Sequence, residues 1–127
     1  MDYESFLEKI INDGIAAAKE DYDDPRDKLR LEGSIEGFEA CRGKTPEEIR
    51  KVFEKATLDT FHAMESVHNG EISHDEYWKI RCREAEVEWV ANCVSAILVN
   101  SGKPALFVHL PTARAVLKTA EVVGVKK

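Results

Sequence analysis

The chain has 127 residues, 43% of them hydrophobic and 33% charged, with 7 Gly, 4 Pro and 3 Cys. That is one domain, 1–127, with a composition that builds a packed core and excludes a disordered, collagen-like or membrane-embedded class. A net charge of −6 and a pI near 5.3 argue against a general nucleic-acid binder, which needs a basic face to release phosphate counterions.

The acidity is at the front: 14 acidic and 7 basic residues precede Ile49, and 10 and 11 follow Glu48. An acidic front suits a basic protein partner, although such surfaces more often serve solubility. Cys41, Cys82 and Cys93 form no CxxC pair and leave one over in any disulfide scheme, which fits a reducing compartment. The opening MDYESFLEKI carries acids where a signal peptide carries bases, and no apolar run approaches the ~20 residues of a bilayer span. A cytoplasmic protein is expected.

Tyr3, Phe6, Leu7, Ile10, Ile11, Ile15 and Ala18 recur at steps of three and four, the period of an amphipathic helix. It ends in the acidic run before Pro25, because negative charge is disfavoured at a helix C-terminus. A second helix, about 26–42, carries Leu31, Ile35 and Phe38 on one side and Gly33, Gly37 and Ala40 roughly opposite. Two glycines cost about 1 kcal/mol each in a helix interior, so their spacing of four predicts a close helix crossing that offsets the cost.

Thr45-Pro46-Glu47-Glu48 combines an N-cap, a first-turn Pro and the Glu of a capping box. The third helix then sets Ile49, Val52, Phe53, Ala56, Thr60, Ala63, Met64 and Val67 in one core stripe and stops at Asn69-Gly70. A second capping box at Ser73 opens a long central helix of about 28 residues that runs to Gly102. Beyond Pro104 the apolar run 105–110 reads as a strap or lone strand, and 113–123 as a short C-terminal helix. The fold class expected is all-α: a helical bundle of four main helices plus that short one.

The fourth helix is the most informative element. Tyr77, Arg81, Glu84, Glu88, Asn92 and Ser95 share one sector, and from Val90 to Val99 almost everything else is apolar. A polar row on a central helix must be paired, wetted or lining a pocket. Three arrangements satisfy it: an internal Arg81 pair with Glu84 or Glu88, a cleft facing Glu32, Glu36 and Glu39 of the second helix, or a solvent face. Arg81, Glu84, Glu88 and Asn92 are therefore candidate binding residues, joined by Arg114. For an anionic ligand, Arg81, Arg83 and Arg114 supply the guanidinium forks.

Other chemistry finds less support. The histidines occur at His62, His68, His74 and His109 without metal-site geometry, and there is no GxSxG, P-loop or GxGxxG motif. The cysteines fall on apolar or small-residue faces, where inert buried thiols are expected.

Glu36-Gly37-Phe38-Glu39 resembles the ExxE element of all-α nucleoside-triphosphate pyrophosphohydrolases. That resemblance implies Mg²⁺ or Mn²⁺ held by Glu36, Glu39, Glu84 and Glu88, with a metal-bound water as nucleophile. The second element departs from the family's ExxD, since Glu84 and Glu88 stand four apart.

Residues 32–42, EGSIEGFEACR, with Arg81-Cys82-Arg83-Glu84-Ala85-Glu86-Val87-Glu88-Trp89-Val90 and Pro111-Thr112-Ala113-Arg114-Ala115, resemble small accessory proteins of bacteriophages and prophages. The resemblance covers the chain from about Arg26 onward and transfers no site residues. It implies a stoichiometric binder of a host or defence component, such as an anti-defence inhibitor or a ligand sequestrant, in the cytoplasm of a bacterial host. A homo-oligomer without cofactor is expected, resting on the row Gly33, Gly37 and Cys41 and on the apolar segment from Val90 to Val99.

Overall fold

A computed structural model describes residues 2–104; the expected strap at 105–110, the short C-terminal helix and Arg114 lie outside these residues. Four helices follow in order: α1 (Tyr3–Asp21), α2 (Lys28–Cys41), α3 (Pro46–His68) and α4 (His74–Asn100), with one 3-10 turn at Pro25–Asp27 ahead of α2. No strand occurs among the described residues, and none of their helices is long and apolar enough to cross a membrane.

Local chemistry sets the boundaries. Asp2 caps α1 by accepting from the Ser5 N–H, and Asp24 caps the 3-10 turn by accepting from Arg26. Thr45 and Glu48 make the reciprocal capping box of α3, and Ser73 accepts from the Glu76 N–H to open α4. Gly70 lies at φ +74° just past the C-cap of α3, a conformation that a side chain disfavours. Tyr3 ties the start of α1 to the α2–α3 connection by donating from its hydroxyl to the Lys44 carbonyl at 2.8 Å.

α4 is the hub, packing most extensively on α2 and then on α3, while α1 lies mainly against α2. The α2–α4 crossing is set by glycine. A Cβ placed on Gly33 would stand 2.1 Å from the Lys79 carbonyl oxygen, and one on Gly37 would stand 2.5 Å from the Arg83 carbonyl oxygen. Backbone therefore meets backbone, as the spacing predicts, and the two helices run in the same direction because Gly33 and Gly37 match Lys79 and Arg83 in order. α1 runs against α2, its Glu8 and Asn12 meeting Arg42 at the far end of that helix.

The core gathers Phe6, Leu7, Ile10 and Ile11 of α1, Phe38 and Cys41 of α2, Ile49 of α3, and Val87, Val90 and Val94 of α4. The row of Gly33, Gly37 and Cys41 and the part of the apolar segment from Val90 to Ala96 are buried within the chain, while Ile97, Leu98 and Val99 are half-buried. Met64, expected in the α3 core stripe, is 55% exposed, because α3 packs chiefly on α4 and the stripe it buries is correspondingly narrow.

Candidate functional site

The polar row of α4 divides. Glu84 is buried and accepts from the exposed Arg81 one turn earlier, Glu88 is exposed, and Asn92 and Ser95 are buried. The Asn92 side-chain oxygen has no hydrogen-bond partner among the described residues. Of the three arrangements, the internal Arg81–Glu84 pair is the one formed.

The glutamates of α2 do not face this row. Gly33 and Gly37 are what α2 turns toward α4, so Glu32 and Glu36 emerge beside Lys79 and Arg83, on a different side of α4. Lys79 Nζ lies 3.5 Å from Glu36 and 3.8 Å from Glu32. Arg83 reaches Glu36 at 3.5 Å and Asp59 of α3 at 3.4 Å, and Lys55 reaches Asp59 at 2.9 Å. Glu39 pairs with Arg42 at 2.7 Å, and that guanidinium also meets Glu8 and Asn12; the hydrogen bonds that Arg42 donates, aided by its charge, hold the Glu39 carboxyl below the usual carboxylate range.

Glu36, Glu39, Glu84 and Glu88 are thus dispersed over separate ion pairs and an exposed position. No group of three or more His, Cys, Asp or Glu side chains is placed to hold a metal ion among the described residues. Arg81 and Arg83, the expected anion forks, are both committed to carboxylates. The cysteines are free thiols; burial pushes Cys41 up to about 12 and raises Cys82 and Cys93 as well, which keeps all three protonated and unreactive near neutral pH.

Two other features carry functional potential. The first is a ridge on α3: Leu58, Phe61 and Met64 are 53%, 58% and 55% exposed. At 100° per residue they lie on one side of the helix, away from the buried Ala56, Thr60 and Ala63. A stripe search centred on the core passes over Leu58 and Phe61 because they fall outside the dominant period.

The second is a cleft of about 270 Å³ where the C-terminal half of α1 crosses the middle of α4. Its α1 wall is Gly14, Ala17 and Ala18, with the Phe38 ring packed against Gly14. Its aromatic surface is Phe38 and Trp89, edge to face at 6.1 Å with planes 82° apart. Asp21, Tyr22 and Glu86 complete the lining. Burial, assisted by the neighbouring Asp21 charge, raises the Glu86 carboxyl from 4.5 to about 7. Tyr22, beside the Cys82 thiol, is also raised, mainly by burial. The signal in the sequence is a carboxylate four residues after Cys82 and three before Trp89, inside an otherwise apolar sector.

Comparison with protein-family models, curated proteins and solved structures gives no match.

Proposed function

We propose that the protein is a non-enzymatic helical binding protein that self-associates through α3 and acts stoichiometrically on a host or defence component. The observation that carries this reading is the ridge of Leu58, Phe61 and Met64, three large apolar side chains each more than half exposed. Contiguous exposed apolar surface marks a protein-interaction site more often than an idle one.

Helical arithmetic supports a two-fold, antiparallel pairing. With Phe61 on the axis, Leu58 opposes Met64 of the second copy, and Glu54 opposes His68 of the second copy, so apolar meets apolar and acid meets base. The acidic front of the chain, exposed on α1 at Glu4 and Glu20, stays available for a basic target. The resemblance to phage accessory proteins supplies the class of that target. The dispersal of Glu36, Glu39, Glu84 and Glu88 weighs against the metal-dependent hydrolase, because Glu36, Glu39 and Glu84 are each held by a different cation.

Native mass spectrometry of the full chain tests the reading. The wild-type protein is expected as a dimer, and the double variant Phe61→Ser, Met64→Ser as a folded monomer. A wild-type monomer at all working concentrations, or a dimer insensitive to both substitutions, overturns it.

A further inference from the structure

We propose that the α1–α4 cleft is a binding site for an alkylammonium group, an ammonium head on a short apolar stem. The inference goes beyond the α3 interface and stands independently of it, since the two involve separate faces.

Asp21 and Glu86 line one cleft, and neither is ion-paired among the described residues. This is unlike Glu32, Glu36, Glu39, Asp59 and Glu84, each held by a cation. The last turn of α1 ends at Asp21, so its carbonyl dipoles add negative potential at the same mouth. Among the described residues, the charge that raises Glu86 is another carboxylate, Asp21, while the Arg30 guanidinium acts on the neighbouring Tyr22 and Cys82. Above pH 7, where Glu86 is ionised, two like charges and a helix C-terminus at one recess favour a cation.

Shape and surface narrow the class. Phe38, Trp89 and Tyr22 bring three aromatic rings to the lining, and aromatic faces attract cations while accepting an apolar stem. A strongly hydrated inorganic ion gains nothing from such walls. The volume of about 270 Å³ lies below the range usual for drug-sized ligands, which fits a single amine-bearing chain. Glycines set the packing around it: the Phe38 ring lies against Gly14, where a Cβ would stand 2.4 Å away, and the Glu86 stem lies against Gly37, where a Cβ would stand 3.0 Å from the Glu86 Cβ. The same chemistry is offered by a free small amine, by a lysine side chain of a protein and by a methylated ammonium.

The test is amide and indole NMR of the full chain titrated with n-butylammonium chloride, against sodium chloride at matched ionic strength. Parallel titrations use Nα-acetyl-lysine amide and tetramethylammonium chloride. Saturable shifts confined to Gly14, Asp21, Glu86 and the Trp89 indole are expected. At pH 8, Glu86→Gln and Asp21→Asn should each weaken binding about tenfold, the effect of removing one charge from a partly desolvated cation site, while Glu76→Gln, an exposed acid at the start of α4, leaves it unchanged. Tighter binding of the lysine amide identifies a protein lysine as the source, of tetramethylammonium a methylated ammonium, and of butylammonium a free amine. The proposal is overturned if none of the three probes gives saturable shifts in the cleft, or if both charge-removing variants, shown folded by their spectra, bind as wild type does.

Discussion

Gly33→Ala is the sharpest test of how the bundle is held together. On an exposed helix this change stabilises by about 1 kcal/mol, through backbone entropy. Here the added Cβ would stand 2.1 Å from the Lys79 carbonyl oxygen and 2.9 Å from its carbon, and the obstacle is backbone, with no rotamer to turn aside. α2 and α4 must move apart, loosening contacts on both sides of the crossing. Overpacking of this kind costs roughly 1–3 kcal/mol, and a rigid obstacle places it at the upper end. After the propensity gain the net loss is about 2 kcal/mol, a fall of roughly 8 °C in Tm for a domain of this size. Gly37→Ala, at 2.5 Å from the Arg83 oxygen, should cost somewhat less. Calorimetry with urea titration reads both. A Gly33→Ala protein as stable as wild type or more so would refute a glycine-mediated crossing.

Four further outcomes follow from particular contacts. Glu86 is raised above its unfolded value, so its contribution to stability is fully present below pH 4.5 and is lost as pH rises through about 7. The full shift corresponds to about 3 kcal/mol, discounted to about 1.5 kcal/mol for a partly exposed carboxyl. Glu86→Gln should therefore gain that amount in urea unfolding at pH 8.5 and nothing at pH 4, and an equal effect at both would contradict it. Arg81→Ala leaves the buried Glu84 without its cation and should cost roughly 1–3 kcal/mol in the same assay; a neutral result would mean that Glu84 has another partner. Thr45→Ala removes half of the α3 capping box and should cost about 1 kcal/mol, read as a lowered urea midpoint, while an unchanged midpoint would show that Pro46 and Glu48 suffice. Phe61→Ser with Met64→Ser should convert dimer to monomer in sedimentation velocity with little change in secondary structure, and loss of helicity would instead make these residues structural.

Helix boundaries were legible because short-range chemistry sets them. Thr45 and Ser73 announce their helices through the side-chain oxygen alone, and the spacing of Gly33 and Gly37 declares a close crossing even before its partner is known. The rotation of α4 was not legible. Glu84 and Glu88 stand four residues apart on nearly the same side, yet the first is buried and the second exposed, a difference set by what surrounds each turn. Met64 shows the same limit from α3: a hydrophobic period locates the centre of a buried face, whereas its width depends on how many neighbours cover it. The cleft was least legible of all, since it exists only where the end of α1 meets the middle of α4. Glu86 is one more acid in an acidic chain until Asp21 and Trp89 are brought beside it.

The glycine crossing also explains where a ligand has room. A carboxylate site between facing helices requires side chains on both to reach into shared space, and Gly33 and Gly37 remove that space by bringing the α2 backbone against the α4 backbone. The glutamates beside them are turned outward to Lys79 and Arg83, where they become structural ion pairs. Open volume remains beside that crossing, where Ala17 and Ala18 of α1 line a cleft with Glu86 and Trp89 of α4. Two acids that pair with no cation among the described residues, Asp21 and Glu86, line this opening. The packing that closes the α2–α4 face to a metal is thus the packing that leaves an acidic, aromatic recess beside it.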